Sequence, residues 1–185
     1  MQVTGVTNAA SQASGAVAPG EVIELNGFSI GPSPLVSSTV PATGKLGTTV
    51  GTAASGVTSV TFNNTPAPIL YASASATSVI VPYAVAGSST ANVVVTYKNN
   101  TSSTFQVSVV PTAPGLFTVN QTGTGAVVAY NFDGTLNSAT NAALRGTPVL
   151  LYVTGEGAVT PAVDDGTITT SQFYHAPQAK VTVTV

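Results

Sequence analysis

The 185-residue chain is 43 % hydrophobic but only 5 % charged, with four basic and six acidic side chains and a net charge of −2, where ordinary soluble domains carry about 25 % charged residues. That apolar content argues against intrinsic disorder, and the scattered cations Lys45, Lys98, Arg145 and Lys180 exclude the clustered basic surface that nucleic acids and anionic membranes require. Without cysteine there is neither a disulfide framework nor a thiolate metal site.

Val and Thr recur in short runs punctuated by Gly, Pro, Asn and Ser, the pattern of strands and turns. In chain order, strands are expected at residues 2–7, 21–28, 57–63, 69–72 and 78–82. Residues 35–56 are rich in Ser, Thr, Gly and Ala and read as a long loop or a frayed edge hairpin. Residues 91–97 put Val93, Val95 and Tyr97 on one face and Asn92, Val94 and Thr96 on the other. Residues 104–109 alternate in the same way, with Phe105, Val107 and Val109 inward, as in a half-buried sandwich strand. Lys98-Asn99-Asn100-Thr101 joins these two runs as a hairpin turn.

Further strands are expected at 115–119, 126–131, 148–154, 167–174 and 180–185, with Asp133-Gly134 and Asp165-Gly166 as turn dipeptides. No window carries a sustained 3.6-residue apolar period, and residues 138–144 are the one place for a short helical turn. No run approaches the roughly 20 apolar residues of a membrane span, so membrane insertion is not expected. The N-terminus lacks a basic region followed by an apolar run, so an exported form has already lost its signal peptide.

Part of the chain occurs twice. Pro19-Gly20-Glu21-Val22-Ile23-Glu24-Leu25-Asn26-Gly27, continuing to Gly31-Pro32, is echoed by Arg145-Gly146-Thr147-Pro148-Val149-Leu150-Leu151-Tyr152-Val153-Thr154-Gly155, continuing to Pro161. The first copy is followed by a strand at 57–63 and about three more strand-like stretches. The second has only the matching strand at 179–185. The expectation is an all-β chain of two immunoglobulin-like β-sandwich modules, the first complete and the second short or incomplete. Residues 1–110 form the first, 111–115 (Pro111-Thr112-Ala113-Pro114-Gly115) a linker, and 116–185 the second. A module short of strands leaves an open sheet edge and a bare apolar face.

Several motifs together resemble a known family. They are Asn8-Ala9-Ala10-Ser11, Ala18-Pro19-Gly20-Glu21, Val60-Thr61-Phe62-Asn63, Pro66-Ala67-Pro68-Ile69-Leu70-Tyr71, Val81-Pro82-Tyr83, Ala113-Pro114-Gly115-Leu116-Phe117-Thr118, Asp133-Gly134-Thr135-Leu136-Asn137 and Tyr152-Val153-Thr154-Gly155-Glu156-Gly157. In this order they resemble the uncharacterised C-terminal domain of exported acidobacterial, Solibacter-type proteins, whose strands are similar to immunoglobulin-fold IPT/TIG modules. The resemblance implies an extracellular or cell-surface β-sandwich protein and carries no catalytic residue across. Members of that family continue beyond the strand matching 180–185 with a further Pro-Ala-x-x-Leu-Tyr-Ala segment, which this sequence lacks.

Catalytic readings are weak. Gly27-Phe28-Ser29-Ile30-Gly31 matches G-x-S-x-G, and Asp164, Asp165 and His175 follow in hydrolase order. A nucleophile elbow needs a helix after the serine, and Pro32-Ser33-Pro34 stands there instead. His175 is the only histidine, too few for a multi-histidine zinc site, and Asp133, Asp164 and Asp165 lie on turn dipeptides. Glu21 and Glu24, three apart in a strand, face opposite sides. Neither a cofactor nor a metal is expected, and the chain is read as a non-enzyme. The Asn-x-Ser/Thr sequences at Asn63, Asn99, Asn100 and Asn120 read as turn residues.

The expected function is that of a structural protein, extracellular or at the cell surface, that self-associates by β-strand addition into a filament or layer. The expected donor is Lys180, Val181, Thr182, Val183, Thr184 and Val185, where the three valines share a face. The N-terminal stretch Gln2, Val3, Thr4 and Val6 is the other candidate. Partners are then other copies of the chain, as a homopolymer or homo-oligomer. The alternative is a binding or stalk module of a larger exported protein that recognises surface polysaccharide through its tyrosines, Tyr71, Tyr83, Tyr97, Tyr130, Tyr152 and Tyr174.

Overall fold

The computed structural model describes residues 1–40, 42, 44–168 and 174–184. The expected strand at 167–174 falls mostly on residues outside this set, as does Val185 of the terminal run. The first half carries β1 (Gln2–Asn8), β2 (Val22–Phe28), β3 (Val36–Ser37), β4 (Thr49–Val50), β5 (Thr58–Phe62) and β6 (Thr65–Pro66). It continues with β7 (Ile69–Ala72), β8 (Ala76–Ile80), β9 (Thr90–Tyr97), β10 (Asn100–Thr101) and β11 (Phe105–Ser108). A 3-10 turn, Tyr83–Val85, follows β8.

These strands form two antiparallel sheets of sandwich-like topology. One is five-stranded in the order β1-β2-β8-β7-β3. The other has six strands, β10-β9-β5-β4, with β11 also on β9 and β6 on β5. Alternation along each strand explains the core between them. Ile23 and Leu25 of β2, Ile69 of β7 and Val79 of β8 point to one interior, and Val60, Phe62, Val93 and Val95 of β5 and β9 share it. All are fully buried in one contiguous cluster. Each such side chain stabilises the fold by about 1.5–3 kcal/mol relative to exposure.

Turn chemistry sets the register. Asn63 and Asn64 (φ 48° and 66°) join β5 to β6, and Lys98 and Asn99 (φ 50° and 63°) join β9 to β10. Both central residues of each two-residue loop have positive φ, the hairpin turn that matches the twist of its strands. Residues 35–56 are not a hairpin. They leave the first sheet at β3, on β7, and enter the second at β4, on β5.

The second half contains β12 (Gly115–Leu116), β13 (Ala129–Asn131), β14 (Val149–Leu151), β15 (Val153–Thr154), β16 (Val159–Thr160) and β17 (Ala176–Pro177). Among the described residues they pair two by two: β12 with β15, β13 with β14, and β16 with β17. Among the described residues from 111 onward, Ala129 and Val159 are the buried apolar side chains. No second two-layer core is present among them. Residues 138–144 hold no helical turn. Ser138 and Asn141 bridge across a tight turn instead, because Asn141 Nδ2 donates to Leu136 O and Thr135 Oγ1.

The Pro-rich segment 111–115 is hydrogen-bonded to the second half. Ala113 N donates to Gly155 O at 2.8 Å. Gly155 and Gly157 have φ of 84° and 81°, and a Cβ on either would collide with the carbonyl of Ala113 or Pro111. Glycine is required here both for the left-handed backbone and for the close approach.

Two outcomes follow for the core. Phe62→Ala should lower unfolding free energy by about 3–5 kcal/mol in urea denaturation. Thr58 and Thr77 have buried hydroxyls with no hydrogen-bond partner among the described residues. Thr58→Val should therefore raise stability by about 1 kcal/mol, and a loss in the same assay would show that the hydroxyl is satisfied.

Candidate assembly surface

The repeated segment behaves differently in its two copies. In β2 polar Glu24 and Asn26 alternate with buried Ile23 and Leu25, and one face meets the core. The second copy, Val149-Leu150-Leu151-Tyr152-Val153, is apolar at five consecutive positions. Such a run suits a strand covered on both faces. Here most of it is open: Leu150 is 57 % exposed, Tyr152 47 %, Val149 and Val153 are also exposed, and Leu151 is half-buried. Tyr152 stacks edge-on to Tyr130 with ring centroids 6.0 Å apart, which supports the strand locally without burying it.

Beside this strand lies the C-terminal segment. Lys180, Val181, Thr182, Val183 and Thr184 are extended in sequence pattern but belong to no strand. The backbone bonding of this end reaches Gln178, whose N–H donates to Ala158 O at 2.9 Å. Val181 is 65 % exposed and Val183 66 %. The segment borders a groove of about 350 Å³ whose far wall is Leu116, Leu151 and Val153. Val185 is outside the described residues.

The N-terminal candidates sit elsewhere. Gln2, Val3, Thr4 and Val6 belong to β1, paired with β2 from Gln2 opposite Phe28 to Asn8 opposite Ile23. Val3 and Val6 are buried in the first core. That stretch already has a partner within the chain.

A buried polar joint holds the bare strand against the first half. Glu21 is 1 % exposed. Its Oε1 accepts from Asn8 Nδ2 at 2.8 Å and its Oε2 from Ala18 N at 2.6 Å. Asn8 Nδ2 also donates to Ala113 O at 3.0 Å, and Val22 N donates to Thr154 Oγ1 at 2.7 Å. Desolvation raises the Glu21 pKa above the usual carboxylate range, against the opposing pull of those two hydrogen bonds. Sequence reasoning placed Glu21 in a strand but missed its role. The signal was its phase, since it falls on the same side as Ile23 and Leu25.

The remaining candidates are scattered. Ser29 follows β2 in a turn with φ 58° and lines a cavity with Met1, Tyr97 and Lys98. Asp164 and His175 line a different one, so the G-x-S-x-G serine is not brought to them. Asp133 accepts from Thr135 N and Oγ1, which hold its carboxyl below the usual range. Glu24 accepts from the Tyr71 hydroxyl at 2.7 Å, on the face opposite Glu21. Tyr97 donates to Ser55 O at 2.8 Å. Of the six tyrosines, Tyr83 and Tyr174 share a cavity. Asn63, Asn99, Asn100 and Asn120 are all exposed. No family model matches the chain, and a search of curated proteins returns no match.

The raised Glu21 pKa has a definite sign. The folded chain binds this proton more tightly than the unfolded chain. Its stabilising contribution is full below the unfolded value of about 4.3 and is lost as pH rises through the folded value. Thermal melts of the wild type and Glu21→Gln should therefore diverge in favour of the wild type on going from about pH 7 to about pH 4.5. A constant difference in Tm would mean that Glu21 titrates normally.

Proposed function

We propose that the chain is a non-enzymatic extracellular structural protein that self-associates by β-strand addition, as the subunit of a cell-surface filament or layer. In this reading residues 180–185 of one copy complete the bare sheet of the next. The observation that carries it is the coexistence, in one chain, of a largely exposed apolar run at 149–153 and an alternating Val-Thr segment at 180–184 that makes no backbone hydrogen bond among the described residues. Main-chain hydrogen bonds supply affinity in such an addition, and alternate side chains filling pockets set register. Val181 and Val183 are the register side chains, and Leu116, Leu151 and Val153 form the receiving wall.

A second copy is favoured over another partner by charge. With a net charge of −2 on 185 residues, identical surfaces meet with little repulsion. Head-to-tail addition whose rotation does not close into a ring grows a fibre. The reading also takes the sheets as immunoglobulin-like modules of the IPT/TIG kind and the chain as a relative of the exported acidobacterial C-terminal domain. The motifs quoted above and the sandwich-like topology support that assignment. An extracellular location follows from the same resemblance.

Negative-stain electron microscopy tests the assembly. The wild type should form fibres or sheets. Removing residues 180–185, or making Val181→Asp with Val183→Asp, should leave single particles with unchanged far-UV circular dichroism. Thr182→Pro, which removes one N–H without adding charge, should weaken assembly at least several-fold in critical concentration. Monodisperse wild-type particles across a wide concentration range would overturn the proposal.

A further inference from the structure

A second cavity, of about 300 Å³, opens where the first half meets the loops of the second. None of the residues assigned to assembly lines it. Its construction is specific. Asp165 Oδ1 accepts from Tyr83 N at 2.8 Å, which pins the Asp-Gly turn to the 3-10 turn of the first half. Leu46 N donates to Gly166 O, and Ile168 N to Gly44 O, both at 2.8 Å. Lys45 pairs with Asp164 at 3.3 Å. The β16–β17 pair, Thr160 opposite Ala176, brings His175 to the rim.

The lining combines apolar walls with hydrogen-bond acceptors. Ile80 and Val159 form the wall, the rings of Tyr83 and Tyr174 flank it, and Glu156 and His175 supply polar atoms. His175 Nδ1 lies 2.7 Å from Pro161 O. A carbonyl only accepts, so Nδ1 carries the proton. In the neutral ring Nε2 then keeps a free lone pair. The Tyr83 hydroxyl is held protonated by burial and by the charges of Glu156 and Asp165. It supplies a donor, whereas Glu156 only accepts. The nearby cation, Lys45, is engaged by Asp164.

A ligand for this cleft must present several donors and an apolar face, and it must carry no negative charge. A pyranose ring does so: its hydroxyls donate to Glu156 and His175, and its C–H face lies on a tyrosine ring. We infer that the cleft binds one sugar residue of a neutral polysaccharide. Uronic acids and sulfated or phosphorylated sugars are excluded by the Glu156, Asp164 and Asp165 carboxylates. The inference does not depend on assembly, because residues 149–153 and 180–184 take no part in it.

Saturation-transfer NMR on the full chain tests it. The probes are gluco-, galacto- and manno-configured neutral oligosaccharides, with glucuronic acid and choline as charged controls. At least one neutral saccharide should bind saturably, with Kd about millimolar, as one small open site implies. Tyr174→Ala and Glu156→Gln should each weaken it about tenfold, the value of one lost stacking or charge-assisted contact. Fibres in electron microscopy should persist in both variants, which separates failure of this site from failure of assembly. The inference is overturned if no neutral saccharide binds or if glucuronic acid binds equally well. Retention of choline without any sugar, or affinity unchanged in both variants, also overturns it.

Discussion

Asn8 is the side chain on which the placement of the second half depends. Its Oδ1 accepts from Ala10 N and Ser11 N, each at 2.9 Å, and turns the chain at the end of β1. Its Nδ2 divides two donations between Glu21 Oε1 and Ala113 O. An amide has two donor hydrogens and an oxygen with two lone pairs, so every capacity of this buried group is used. One residue thus ties together the first turn, the entry to β2 and the start of the second half. Gly115 lies directly against it, where a Cβ would strike the amide. Buried networks of this kind are stabilising only when complete, because an unpaired member carries the full desolvation cost. Loss of Asn8 would leave Glu21 short of a donor in a site that excludes water.

The joint gives the exposed strand a fixed platform. Thr154 accepts from Val22 N, and its neighbour Gly155 is bonded to Ala113. The run formed by β14 and β15 is therefore anchored at its C-terminal end to the start of β2 while most of its apolar side chains stay exposed. A loose strand with this sequence would collapse or pair unselectively. A held one presents a defined edge, and held edges are what strand addition requires. The same joint, with the Ala113–Gly155 bond, ties the segment 111–115 into the structure despite its prolines.

Much of the first half was legible because each strand there has one covered face. Alternation in β2, β5, β9 and β11 translates directly into inward and outward side chains, and the Lys98-Asn99 turn declares its hairpin. The path of residues 35–56 was not legible. Two-residue strand contacts carry no periodicity, and a crossover between sheets looks like a loop. The second half was less legible for a different reason: among the described residues it shows two-stranded pairs without a second core. A run such as 149–153 says that both faces want cover but not which chain supplies it. Residues 138–144 were misread because Ala and Leu suggest a helix locally, whereas the Asn131, Asn137 and Asn141 side chains bond across the turn and decide the backbone. Of the cleft, the sequence showed the tyrosines and acids but not their convergence, since the Asp165 turn brings up Tyr83 and the β16–β17 pair brings up His175.

The two proposed surfaces reinforce one another through geometry. A shallow site for one neutral sugar ring is weak by itself, because a few hydrogen bonds and one stacked face barely exceed the cost of ordering the ligand. In a head-to-tail assembly every subunit repeats the cleft at a fixed spacing. A long polysaccharide held at one cleft meets the next at high effective concentration, and such linkage raises avidity about 10²–10⁴-fold without any new contact. Low charge serves both ends. It lets copies pack closely, and it leaves a neutral glycan free of electrostatic competition from the surrounding surface. If both proposals hold, weak recognition at each cleft gains its avidity from repetition rather than from a deeper pocket.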